Sequence, residues 1–292
     1  MLTIFAMPKP FRGHIAVIQR NAVTSWTLLR PRPEIILFGD EAGTAETAQE
    51  LGVRHIPEVA RNEFGTPLLH DFFDQAEGQG NDGLLCYVNA DIILLDDFTQ
   101  AVERVRDWRP RLLMVGQRWD LDIAEPCDFS RPHWQQRLRA SALRADRQQP
   151  PNAIDYFVFT RGLGRNLLPL AIGRRGWDNW LLWHARARDA ALVDATPVVM
   201  AIHQAHDYSH HPRGAEGVFC GEEAGRNREL IGEWWHLYTI EDATHRLTSD
   251  RVRPIHRHWW LMVKRAWSHP GSIFRLAWSG ISRPPGHRRG AS

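Results

Sequence analysis

The chain has 292 residues, 43% of them hydrophobic and 24% charged. That composition excludes a disordered protein and gives enough length for one large α/β domain, or one domain plus an appendage. A formal net charge of +2 excludes a generally basic, nucleic-acid-binding surface. Three scattered cysteines with no CxxC spacing exclude a disulfide framework.

Residues 2–6 read as a buried strand ended by Pro8 and Pro10. Ile15, Ile18, Ala22, Trp26 and Leu29 fall at helical spacing, and Pro31 and Pro33 stop that helix. A second strand over 34–38 ends at Gly39-Asp40, followed by a helix over 44–51 and a short third strand over 53–56. A helix is expected over 68–76. Residues 84–94 form the most apolar stretch, which reads as one central strand interrupted only by Asn89 and Asp91. A helix over 98–107 and a strand over 112–116 follow. Strand alternating with helix predicts a parallel, doubly wound sheet with helices on both faces. Ligands of such sheets bind beyond the carboxyl ends of the strands, where Met7 to Arg12, Asp40 and Asn89 to Asp91 fall.

Residues 117–152 are rich in Arg, Gln and Pro, with a surface helix expected over 133–147. A strand over 155–159, helices over 163–172 and 177–188, and a strand region over 191–202 complete the regular pattern. The last of these leads into a histidine-rich loop beginning at His203.

Four groups of residues carry chemistry. Asp91 sits in an apolar strand, where a carboxylate needs a partner or a cation. It is either the cap of the next segment or a metal ligand. His203 and His206 follow a strand end, and imidazole suits Mn²⁺ better than Mg²⁺. The alternative is a solvated loop. Gly176-Trp177-Asp178-Asn179-Trp180 places a carboxylate between two rings. Either Trp177 stacks on a sugar and Asp178 acts as a general base, or Asp178 marks a helix N-terminus over a tryptophan core. Arg61 and Asn62 either face a nucleotide or belong to the turn before the Thr66-Pro67 helix start.

The order of these groups resembles that of the GT-A glycosyltransferases. The resembling segments are the opening Thr3-Ile4-Phe5-Ala6-Met7-Pro8-Lys9-Pro10-Phe11, then Phe38-Gly39-Asp40 and Tyr87-Val88-Asn89-Ala90-Asp91-Ile92. They continue in Asp155-Tyr156-Phe157-Val158-Phe159, Gly176 to Trp180, and His203 to His206. The resemblance covers residues 1–212. More narrowly, the chain resembles a group of bacterial and plant nucleotide-diphospho-sugar transferase-like proteins.

That resemblance implies transfer of a sugar from a nucleotide-diphosphate donor to an acceptor hydroxyl, with Mn²⁺ or Mg²⁺ as cofactor. It puts the nucleoside against Met7, Pro8 and Asp40, and the donor against Asn89, Ala90, Asp91 and Asp155. Asp91, His203 and His206 are the implied metal ligands, and Asp178 the acidic residue near the acceptor. One departure stands out: the first acid of the family's Asp-X-Asp motif is Asn89 in this sequence, which brings no charge to a metal.

Two rivals keep the same scaffold. A sugar-1-phosphate nucleotidyltransferase would open with a glycine-rich phosphate loop, whereas Lys9, Arg12 and Gly13 occur without a glycine run. A non-catalytic membrane-surface protein is the other. Residues 251–289 carry nine Arg or Lys, no Asp or Glu, and four tryptophans. This suits a segment lying on an anionic membrane through residues 255–289, or a helical extension packed on the domain. The expected organisation is a transferase domain over 1–212, a basic helical extension over 213–281 and a disordered tail over 282–292. No signal peptide or run of ~20 apolar residues is seen. The expected location is the cytoplasm, at the inner face of the membrane, with a glycan or lipid-linked acceptor and no nucleic-acid partner.

Overall fold

Period-two alternation in the strands decides the architecture. Ile4 and Ala6, Ile35 and Leu37, and Leu84, Cys86 and Val88 point to one face of the sheet. Phe5 and Met7, Ile36 and Phe38, and Leu85 and Tyr87 point to the other. A strand buried on both faces needs a helical layer on each. A computed structural model describes residues 2–79, 83–206, 214, 216 and 220–255, and shows both layers.

The elements are β1 (Thr3–Ala6), α1 (Gly13–Thr27), β2 (Glu34–Phe38), α2 (Thr44–Leu51), β3 (Arg54–Ile56) and α3 (Leu69–Gln79). Then come β4 (Leu84–Val88), β5 (Ile92–Ile93), α4 (Asp96–Val105), β6 (Leu112–Val115), β7 (Arg118–Leu121) and α5 (Trp134–Ala145). The rest are β8 (Tyr156–Thr160), α6 (Trp177–Ala187), β9 (Ala191–Asp194), β10 (Ala201–Gln204), α7 (Glu222–Ile231), β11 (His245–Leu247) and β12 (Val252–Pro254).

Nine strands make the main sheet in the order β12-β11-β9-β6-β8-β4-β1-β2-β3. It is mostly parallel. β8 runs against both of its neighbours, β4 and β6, and β12 runs against β11. One core contains Ala22, Val23 and Trp26 of α1 with Phe98, Ala101 and Val102 of α4. The opposite core contains Leu69, Phe72 and Phe73 of α3 with Trp180 and Leu181 of α6. A small second sheet, β5-β10-β7, rests on α5 through Ile93, Ile202 and Ala142.

Several expectations give way to geometry. The stretch 84–94 is two strands in different sheets, because the chain turns at Asn89, where the Ile92 N–H returns to the Asn89 carbonyl at 3.1 Å. Residues 163–172 are not helical. Within this stretch Asn166 takes a left-handed φ of 56°, which a right-handed helix excludes. The region 191–202 splits into β9 and β10 around Pro197. β7, β11 and β12 had no counterpart in the sequence reading, whereas α7 falls within the helical extension expected over 213–281. The compact unit runs to Ile255, because β11 pairs in parallel with β9 beyond residue 212. The tryptophan-rich residues 256–292 lie outside the described residues, as do 207–213. None of the described helices is long and apolar enough to cross a membrane.

Candidate active site

β1, β4 and β10 end on the same side of the fold, and the residues just past those ends meet in a cleft of about 670 Å³. Its lining includes Met7, Pro8 and Lys9 after β1, Asn89, Ala90 and Asp91 after β4, and His203 and His206 at and beyond β10. Asp155, Arg118 and Asp178 add charge to its wall, as do Glu41, Arg174 and Arg175. β8 is what brings Asp155 in. Since β8 is antiparallel, its first residues lie beside the last residues of β4, pairing Tyr156 with Val88. The Asn89 N–H accordingly donates to the Asp155 carbonyl at 2.9 Å.

Asp91, His203 and His206 each offer a ligand atom, and these atoms lie within 4.8 Å of one another. His206 Nε2 is 3.1 Å and His203 Nε2 4.0 Å from Asp91 Oδ2. The pairing of Ile92 with His203, antiparallel between β5 and β10, sets this approach. Lys9 Nζ stands 3.9 Å from the same carboxylate oxygen and 3.3 Å from His206 Nε2. Asp91 Oδ1 is buried and makes no hydrogen bond to the described residues. A buried, unpaired carboxylate oxygen costs several kcal/mol if nothing ever meets it. One carboxylate with two imidazoles is a donor set that fits Mn²⁺ better than Mg²⁺.

Burial pushes the Asp91 carboxyl upward. The His206 hydrogen bond and the nearby His203 and Lys9 outweigh it and hold the group well below the usual range. Burial lowers Lys9, with Asp91 and Asp155 acting against it.

Asp178 behaves in the opposite way. Gly176 precedes α6 with φ 98°, and a Cβ there would approach Ile231 Cδ1 to 3.2 Å. This tight entry puts Asp178 in the first turn of α6, facing the cleft. The Asn179 N–H donates to its Oδ1 at 2.9 Å. Burial still dominates and raises its pKa to about 6.

The other sequence candidates separate. Met7 is seated by Gly39, whose φ is 89°; a Cβ there would lie 2.9 Å from Met7 Sδ. Asp40 and Arg61 are ion-paired at 2.5 Å and line a neighbouring open cavity. Asn62 is spent on its own turn. It accepts from the Phe64 and Thr66 N–H groups and donates to Glu223 at 2.8 Å. Trp177 requires a correction as a sugar platform. It is only 5% exposed and packs edge-on against Tyr87 in the core, so its face is not available.

No family model matches the chain, and no curated protein matches it. Among solved structures it is similar to glucosyl-3-phosphoglycerate synthase from Mycobacterium tuberculosis in complex with Mn²⁺, UDP-glucose and phosphoglyceric acid. There the identity is 14%, over 79% of this chain and 78% of that one, with a TM-score of 0.46. A second structure of that synthase gives 13% identity over 82% and 86%, with a TM-score of 0.45. Residues 1–349 of S. aureus TarS give 8% identity over 70% and 60%, with a TM-score of 0.47. Likenesses this distant leave function to the residues of the cleft.

Sequence reasoning missed Arg118, which lines the cleft, and Asp120 behind it. Asp120 accepts from His203 Nδ1 at 3.0 Å, and Arg118 donates to both Asp120 and Asp155. Both lie on β7. The only signal there was the alternation of charge with Trp119 and Leu121, in a stretch otherwise rich in loop formers.

Proposed function

We propose that this protein is a glycosyltransferase that moves a sugar from a nucleotide-diphosphate donor to an acceptor hydroxyl, assisted by a divalent metal. One observation carries the reading. A low-pKa carboxylate with two convergent imidazoles, Asp91, His203 and His206, shares a cleft with a separate carboxylate poised near neutrality, Asp178. Two acids driven apart by their surroundings are a pattern of divided roles.

Asp91, His203 and His206 would hold the metal, which when bound neutralises charge developing on the leaving diphosphate. Asp178 accepts the acceptor's hydroxyl proton as that oxygen attacks the anomeric carbon. Attack by an acceptor activated in this way inverts the anomeric configuration. Lys9 lies beside Asp91 and offers a second positive charge to phosphate oxygens. Met7 and Pro8 line the donor side of the same wall. The first acid expected of the family motif is absent, so the site is one carboxylate with two histidines, not a two-acid clamp.

A panel of nucleotide sugars, incubated with and without Mn²⁺ and scored for nucleoside diphosphate release, tests the reading. Release from one donor, stimulated by Mn²⁺ and lost in Asp91→Ala, is expected. Pyrophosphate release from a nucleoside triphosphate with a sugar phosphate, and no nucleoside diphosphate from any sugar donor, would replace it with nucleotidyl transfer.

The proposal extends to a glycan or lipid-linked acceptor at an anionic membrane, on the basic and tryptophan-rich sequence of residues 255–289. Co-sedimentation of the full chain with phosphatidylserine vesicles, compared with neutral vesicles, checks that extension.

A further inference from the structure

Asn89 holds a position where a second acid would be expected to help a metal, yet its side chain is fully committed elsewhere. Its Oδ1 accepts from the Tyr87 hydroxyl at 3.0 Å, and its Nδ2 donates to Asp155 Oδ1 at 2.5 Å. The other Asp155 oxygen accepts from Arg118 Nη1 at 2.8 Å. Arg118 Nε donates in turn to Asp120 Oδ1 at 3.1 Å, and the same Oδ1 accepts from His203 Nδ1 at 3.0 Å. The contacts form one unbroken chain: Asn89, Asp155, Arg118, Asp120, His203. It starts at the end of β4, crosses to the start of β8, and reaches β10 through β7.

Each link has a polarity. Asp155 and Asp120 can only accept, Arg118 can only donate, and the Asn89 amide donates from nitrogen while accepting on oxygen. At the far end, a proton on His203 Nδ1 leaves Nε2, the atom facing Asp91, with its lone pair. A carboxylate behind a histidine is the usual means of fixing tautomer and ring orientation in a ligand.

We propose that Asn89, Asp155, Arg118 and Asp120 are positioning residues that hold His203 in its metal-ligating orientation. On this view the amide at 89 is the terminus that the chain requires, not a degraded acid. The inference rests on the reading of Asp91, His203 and His206 as a metal site. It makes a prediction opposite to that of motif counting. Adding an acid beside the site, by Asn89→Asp, weakens metal binding. The new carboxylate faces Asp155 Oδ1 where a donor now stands, so Asp155 turns away and Arg118 and Asp120 lose their register.

The experiment uses Mn²⁺ alone, titrated into the full chain by calorimetry and by the loss of the free-ion EPR signal. Asn89→Asp and Asp155→Asn are each expected to weaken Mn²⁺ binding by about 10–100-fold, and Asp120→Asn by a similar factor. The exchange variant Asn89→Asp/Asp155→Asn restores a donor facing an acceptor with the same total charge, and should bind within about threefold of wild type. A merely structural role for either residue does not predict that rescue. Near-ultraviolet circular dichroism reports whether each variant is folded, and Asp120→Asn keeps the test available if a variant at 89 or 155 is not.

Tighter or unchanged binding in Asn89→Asp overturns the inference while leaving the metal site standing, as does an exchange variant no better than its parents. Wild-type protein that binds no Mn²⁺ overturns the metal reading and this inference with it.

Discussion

The cleft holds two carboxylates that the protein treats in opposite ways. Around Asp91 it gathers His203, His206 and Lys9 and keeps the charge on. Around Asp178 burial, helped by the nearby Asp155 charge, outweighs the backbone N–H groups of Asn179 and Asp178 and lets the pKa rise to about 6. The helix N-terminus that bears Asp178 favours its anion, and burial still wins. The contrast shows that being acidic and lining the cleft does not assign a role; the neighbours of each acid do. On the proposed function, Asp91 holds positive charge against a leaving group and Asp178 exchanges a proton.

The sharpest way to break that division is to remove the Asp91 carboxylate. Asp91→Ala should lower transfer by about 10³ or more and abolish Mn²⁺ binding, measured by nucleoside diphosphate release and calorimetry. An equal rate in that variant would end the case for a diphosphate site at Asp91.

Asp178→Asn comes next, with an expected loss of about 10²–10³ in turnover and little change in Mn²⁺ affinity. Its pH dependence has a definite sign. Asp178 acts as a base only when ionised, so the wild-type rate should climb as pH rises through about 6. Its folded pKa is raised to about 6 from an ordinary 3.8, so the folded state binds the proton more tightly than the unfolded chain. Stability contributed by the neutral acid is therefore full below about 4 and is lost as pH rises towards 6. Asp178→Asn should flatten that decline in a series of thermal melts.

Lys9→Met sharpens the Asp91 side. It removes an ammonium 3.9 Å from Asp91 Oδ2, and Mn²⁺ affinity should rise by about tenfold, or ~1.4 kcal/mol, in the absence of nucleotide. Weaker Mn²⁺ binding would instead make Lys9 a support for the ligands. The smallest effect is expected at Trp177. Trp177→Phe should reduce stability by about 1–2 kcal/mol in urea titration and leave donor affinity unchanged, because the ring packs in the core.

Most of the first 115 residues were readable because the strands are short apolar runs and the helices have clear stops, such as Pro31 after α1 and Gly52 after α2; the exception is 84–94, where the chain turns at Asn89 between two sheets. The position of the cleft followed from the rule about strand ends. Legibility fell where an element is short or its partner is distant. β7 has four half-buried residues and gains its meaning only from pairing with β10, 80 residues later. For the same reason Asp120 had no local signal. Trp177 and Asn62 show the converse problem. Ring and amide were read for what they can bind, while the fold had already used them on Tyr87, Glu223 and their own turn.

The reversed strand β8 also fixes a timetable. β4 and β6 leave the ribosome well before the residues that will lie between them, 156–160. Until those residues emerge, β4 presents a bare edge of backbone donors and acceptors on an apolar strand, the kind of edge that recruits wrong partners. Closure by β8 is a late and non-local event, expected to limit the folding rate. It is also the event that delivers Asp155 to Asn89. A chain that has not inserted β8 therefore has neither a closed sheet nor a finished site, so unfinished molecules cannot pass as working ones.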